Sequence, residues 1–185
     1  SSDVCSSDLN DIDARGEHSG IAADYLEQVR SRLGVGTEIV AFASVAEMID
    51  ALRGGRIDVA PFLTRTPDRA REFVFSSPYF SMPYMLVGRA DAPMYWDLSS
   101  LRGRRLALAR DHPLLDTVRR RYPEIHVVTP SDRLLAMDVV AAGDAEAAVD
   151  VKLFANLRIN RDGGGLRLLG TVDELPGDFA FATTR

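Results

Sequence analysis

Two stretches of this chain repeat one plan, and that repetition restricts the fold more than any single motif does. Each begins with a hydroxyl residue able to cap a helix (Ser44, Ser131), continues as an apolar stripe at helical spacing, and stops at glycine (Gly54-Gly55, Gly143). Each then enters a short apolar run with an acidic residue near its start (Asp58, Glu146). In the first copy the stripe is Val45, Met48, Ile49 and Leu52, and Glu47 stands three residues after Ser44, where a capping box needs it. In the second copy the helix is predicted to run on from Ser131 to Ala142. Strands are expected before the two helices, at 38–41 and 125–129, and after them, at 57–63 and 147–151. Such strand–helix–strand alternation predicts parallel strands joined by right-handed crossovers.

Two more helices belong to the pattern. Ile21, Tyr25, Leu26, Val29 and Leu33 line one helical face, which Gly34 is placed to end. Leu114, Leu115, Val118 and Tyr122 line another, with Pro113 in its first turn, after a strand at 106–109. Two copies of one supersecondary unit in 185 residues predict two α/β lobes rather than one long sheet. An extended apolar stretch at 82–91 can cross from the first lobe to the second. A return crossing is expected within 170–182, so that 179–182 rejoin the first lobe. The predicted division is lobe 1 at 10–88, lobe 2 at 89–174 and a return strand at 175–185. Ligands of open α/β sheets sit beyond the carboxyl ends of the strands. Two such edges facing across a hinge would make a cleft able to close.

Residues 1–9, SSDVCSSDL, read as the translation of a sequencing adapter and are set aside. Cys5 goes with them, which leaves no cysteine for a disulfide, a catalytic thiolate or a metal. The domain is then expected to lack its beginning, and its end as well. A net charge of −5 argues against a nucleic-acid partner, and the arginine runs at 102–105 and 119–121 read as solvated faces. No run approaches the ~18 apolar residues of a membrane span, so membrane contact is expected only through flanking segments. His18, His112 and His126 are scattered, without metal-ligand spacing. Gly163, Gly164 and Gly165 precede no G-K-[ST] and read as a turn before a strand at 166–169. Ser76 and Ser77 lack a nucleophile frame. Neither a cofactor nor a catalytic residue is expected.

The stretch T-R-T-P-D-R-A-R-E-F-V-F-S-S-P-Y-F, at 64–80, carries the chemistry. It sets two threonine hydroxyls and a guanidinium directly after a short apolar run. Such donors suit a small carboxylate, with arginine as its planar two-pronged partner. Thr66, Arg69, Phe75, Ser76, Pro78 and Tyr79, with Leu52, Gly55, Ile57 and Asp58 upstream, resemble the signature of the family 3 extracytoplasmic solute-binding proteins. The segments at 20–26, 78–89, 121–123 and 147–159 are most similar in appearance to the flytrap sensor domains of BvgS-type histidine kinases. That resemblance implies a fold class: α/β, the two-lobed type II periplasmic-binding-protein fold with two hinge crossings. It also implies a periplasmic location, a small carboxylate or amino-acid ligand, and a homodimer if the parent is a sensor kinase.

It implies roles too. Arg69 would grip the ligand carboxylate, with Thr64 offering a hydroxyl or backbone donor beside it. Thr66 would cap the turn that holds Arg69, and Phe62 would narrow the pocket or stack on the ligand. In the second lobe the family's small turn is replaced by Arg110-Asp111-His112-Pro113, and its ammonium-binding acid falls close to Val151, one position from Asp150. Three alternatives follow: the register slips and Asp150 serves, Asp111 supplies the charge with His112 beside it, or the ligand has no ammonium. The expected function is extracytoplasmic solute sensing by cleft closure. The alternatives are the binding subunit of an amino-acid ABC transporter, or a dehydratase or lytic transglycosylase on the same scaffold.

Overall fold

Glycines and polar caps end the observed elements close to where the sequence places them. The computed structural model describes residues 11–12, 18–42, 44–161 and 163–185, so the segment 1–9 lies outside the described residues. The chain forms two units, Ser1–Ser81 with Asp178–Arg185, and Met82–Gly177. The first division precedes the expected boundary at 88, so that β6 (Tyr84–Arg89) belongs to the second unit, and the second division follows the expected boundary at 174.

The first unit runs through β1 (Asp11–Ile12), β2 (His18–Ser19), α1 (Ile21–Leu33), α2 (Val45–Arg53), β3 (Val59–Thr64), α3 (Arg69–Glu72), β4 (Phe73–Phe75) and β5 (Phe80–Ser81). The second holds β6 (Tyr84–Arg89), a 3₁₀ turn at Leu98–Leu101, β7 (Arg105–Ala107), α4 (Leu115–Arg121), β8 (His126–Val128), α5 (Arg133–Ala141), β9 (Ala147–Val151), α6 (Lys152–Arg161) and β10 (Leu166–Val172). The chain then returns to the first unit as β11 (Asp178–Thr184).

α1 ends at Gly34 in the left-handed region, its N–H bonded to the Arg30 carbonyl. Ser44 caps α2 by accepting the Glu47 N–H at 3.1 Å. Leu52, Ala60, Leu63, Phe73 and Ala182 form the core of this unit, with Met48, Ile49, Ile57 and Phe75 packed against it. β11 is the centre of its sheet, antiparallel to β3 on one side and to β4 and β5 on the other.

Unit 2 is a mixed sheet in the order β10-β6-β9-β7-β8. Parallel pairing joins β7 to β8 and to β9, whereas β6 pairs antiparallel with both β9 and β10. Leu86, Leu106, Leu108, Leu114 and Val118 are fully buried here. Glu146 laces two parallel strands together, accepting the Arg105 backbone N–H at 2.7 Å and its guanidinium at 3.1 Å.

Three expectations need correction. The parallel arrangement holds for three strands of the second unit alone, because a strand arriving from a distant part of the chain pairs antiparallel in each sheet. The run 38–41 is no strand: Ile39 and Val40 are exposed, and no described strand lies beside it to complete a ladder. The α5 cap is Asp132, not Ser131. Its extended backbone lets the carboxylate accept the Leu135 N–H at 2.9 Å, while Ser131 Oγ donates to that carboxylate.

Met82 and Gly177, the first and last residues of the second unit, touch directly. The Met82 N–H donates to the Gly177 carbonyl at 2.8 Å. A Cβ at position 177 would sit 1.5 Å from the Met82 carbonyl oxygen, so only glycine fits without a backbone shift. Gly177→Ala is expected to lower the unfolding free energy by about 1–3 kcal/mol or more, read as a reduced urea midpoint. An unchanged midpoint would show that the two chain segments part easily.

Candidate functional site

The polar turn after β3 is built around one arginine. Thr64 closes β3, 3% exposed and paired with Phe179 of β11. The chain then turns through Thr66, whose hydroxyl accepts the Arg69 N–H at 3.2 Å and whose carbonyl accepts the Ala70 N–H at 2.9 Å. Arg69 folds back over the same turn, its Nη1 donating to the Thr64 carbonyl at 3.0 Å. A half-buried guanidinium is thereby tied at its backbone and at its tip. The structure brings Thr64, Thr66 and Arg69 together as the sequence predicts. Arg71 instead pairs with Asp68 at the surface, and Arg65 is exposed.

Phe62, two residues before Thr64 on the same strand, is half-buried. Its ring stacks on Phe179 at 4.0 Å and lies 6.1 Å from Phe80. Packing within the sheet therefore occupies one face of this ring. Tyr79 donates its hydroxyl to the Pro61 carbonyl, and burial pushes its phenol well above the ordinary tyrosine range.

In the second unit the remaining candidates gather at the carboxyl-end edge of the parallel strands. β7 leads into Asp111 and His112, both half-buried. His112 Nδ1 accepts the Leu114 N–H at 3.1 Å, and its ring meets Tyr84 edge-on at 5.7 Å. Tyr84 is registered opposite Val151, and Met85 opposite Asp150. Cross-strand partners share a face and neighbours alternate. His112 therefore contacts the Val151 side of the sheet, and Asp150 points to the other. The β6–β9 ladder runs without a bulge from Tyr84↔Val151 to Val87↔Ala148.

Asp150 is 6% exposed. Its Oδ1 accepts the Val151 N–H at 2.7 Å and its Oδ2 lies 3.3 Å from Arg133 Nη1. Burial raises its carboxyl above the usual aspartate range, and the Arg133 charge works against that rise. Arg133 in turn places its Cζ 3.8 Å over the Phe154 ring. The sequence expectation missed Arg133. Its signal was its position as the first residue of a capped helix leaving a parallel strand.

The chain as a whole is similar to known proteins. The family described as bacterial extracellular solute-binding proteins, family 3, matches residues 7–162. The virulence sensor protein BvgS of Bordetella pertussis is 35% identical over 170 residues, which is 91% of this chain and 14% of that much longer protein. The crystal structure of the BvgS periplasmic VFT2 domain from Bordetella pertussis superposes with a TM-score of 0.83 at 34% identity, covering 96% of this chain and 76% of that one. A histidine kinase sensor domain with similarity to periplasmic binding proteins gives 0.87 at 24% identity, covering 99% and 80%, a likeness of fold alone.

Two outcomes are expected from this geometry. Thr66→Ala removes the cap under Arg69 and should cost about 0.5–2 kcal/mol in chemical denaturation. Asp150 binds its proton more tightly folded than unfolded, so the stability it contributes is complete below the ordinary aspartate pKa of about 3.9 and is lost as pH rises through its folded value. The unfolding free energy of the wild type minus that of Asp150→Asn should therefore fall as pH rises above about 3.9. A difference that stays flat would mean that Arg133 offsets the burial completely.

Proposed function

Because this chain belongs to the bacterial extracellular solute-binding proteins of family 3, we propose that it captures a small carboxylate or amino-acid-like solute outside a bacterial inner membrane. The observation that carries this reading is the half-buried Arg69 guanidinium, tied to the Thr64 carbonyl within a turn lined by threonine. A guanidinium partly withdrawn from water and fixed in direction loses little freedom when it closes on a carboxylate, which is where a bidentate pair is strongest. Identity to BvgS supports a sensor region of a transmembrane histidine kinase, and in that setting the chain would work as part of a homodimer.

A solute bound more tightly by one conformational state of the protein shifts the population toward that state by its difference in affinity. About 5.5 kcal/mol of difference moves an equilibrium from one extreme to the other, and less suffices to bias a signal. Among the described residues no helix is long and apolar enough to cross a membrane.

A thermal-shift screen of amino acids, organic acids and aromatic carboxylates tests the proposal, since a ligand that binds only the folded state raises the melting temperature. Arg69→Ala should erase every hit, a loss of roughly 2–5 kcal/mol for a sheltered charge pair. Arg69→Lys, which keeps the charge but not the fork, should recover only part of it. Hits that survive Arg69→Ala unchanged would remove this turn from the binding site.

A further inference from the structure

The apolar face that the sequence predicts for α1 is largely uncovered. Ala22 is the one fully buried residue of this helix, whereas Val29 is exposed and Leu33 keeps 68% of its surface. Beyond the helix, Val35, Ile39 and Val40 are exposed as well. Exposed apolar side chains scattered singly are ordinary. A group drawn from one helix face and the run that follows it is a surface suited to being covered.

The sheet of the first unit is open in the same region. β3 pairs with β11 on one side, and among the described residues no strand pairs with its other side. Val59, where β3 begins, is exposed. Both helices that flank the run 35–42 pack against β3, which holds that run on the β3 side of the sheet. It carries strand-forming residues there, yet makes no ladder with β3. An edge of unpaired N–H and C=O groups flanked by apolar side chains is a template for one more strand.

We propose that the open edge of β3, with the exposed faces of α1 and of the run 35–40, is a docking slot for one extended strand of apolar character, supplied by the parent polypeptide outside these 185 residues. The incoming strand lies between β3 and the run 38–41, which thereby gains a partner for its own ladder. Pro61 of β3 offers no N–H, so side-chain burial carries part of the contact. The length of a related domain favours this source: the chain covers 76% of the BvgS VFT2 domain of Bordetella pertussis, and that domain therefore holds further chain able to serve. A second copy is the weaker candidate. It has its own β3 to offer, and two such edges meeting would leave both runs at 38–41 unpaired. This inference does not depend on which solute the protein takes.

The test adds synthetic peptides of about ten residues, long enough for one strand, to the intact chain. The peptides tile the part of the Bordetella pertussis VFT2 domain that this chain does not match. One of them should slow amide hydrogen exchange at 38–41 and at 59–63 together by about tenfold or more, and raise the melting temperature as its concentration rises. Val59→Lys and Ile39→Lys, both at exposed positions, should each weaken that peptide by about tenfold. Val74→Lys, at an exposed apolar position on β4, should leave its binding unchanged. If no peptide protects either run, or if protection is indifferent to Val59→Lys, the slot does not exist. Protection of 59–63 that grows with protein concentration alone, with a dimer in sedimentation, gives the edge to a second copy and overturns the proposal.

Discussion

The antiparallel ladder of β11 is the interaction on which the first unit depends. β3 pairs with one side of this strand, and β4 and β5 with the other. Without it these short strands would have no central partner, and isolated strand pairs are marginal in water. The register of that ladder also sets the chemistry. Phe179 lies opposite Thr64, which anchors the end of β3 and hence the start of the turn that carries Arg69. A strand contributed from far along the chain thus determines where Arg69 sits. The cost of closing so long a loop grows only logarithmically, so the separation is tolerable.

Electrostatics divides the arginines into two kinds. Arg30, Arg53, Arg71 and Arg89 form ion pairs in which both partners are well exposed. Such pairs are worth little, because water and salt screen them and two long side chains must be held still. Arg69 and Arg133 are different. Each is half-buried and held by a specific acceptor, the Thr64 carbonyl in one case and Asp150 in the other. The Arg133–Asp150 pair need not stabilise the fold, since desolvation cancels much of the attraction in a buried pair. Its consequence is direction: it holds the guanidinium and the carboxylate in one fixed orientation.

Much of the local structure was legible in the residues. Gly34 ends α1, Ser44 caps α2, and the Leu114, Leu115, Val118 and Tyr122 face of α4 is buried as its spacing requires. The T-x-x-R turn was legible for the same reason: a hydroxyl, two intervening residues and an arginine form their contacts within one turn. The errors lie where local signals admit more than one outcome. Ser131 and Asp132 are both competent caps, and the backbone chose the second by extending there. The stretch 38–41 has strand-forming residues, but a strand exists only if another lies beside it.

Determined by the sequence itself were the helices and their ends, the α/β plan and the composition of the Arg69 turn, because caps, glycines and apolar periodicity act over a few residues. Tertiary structure alone decided that β11 would run between β3 and β4, that parallel pairing would be confined to β7, β8 and β9, and that Asp150 would face Arg133 rather than His112. Those outcomes depend on which residues distant in sequence come within hydrogen-bonding reach. Strand alternation allows either neighbour of a register to face a given side, and only the completed sheet with its helices selects one.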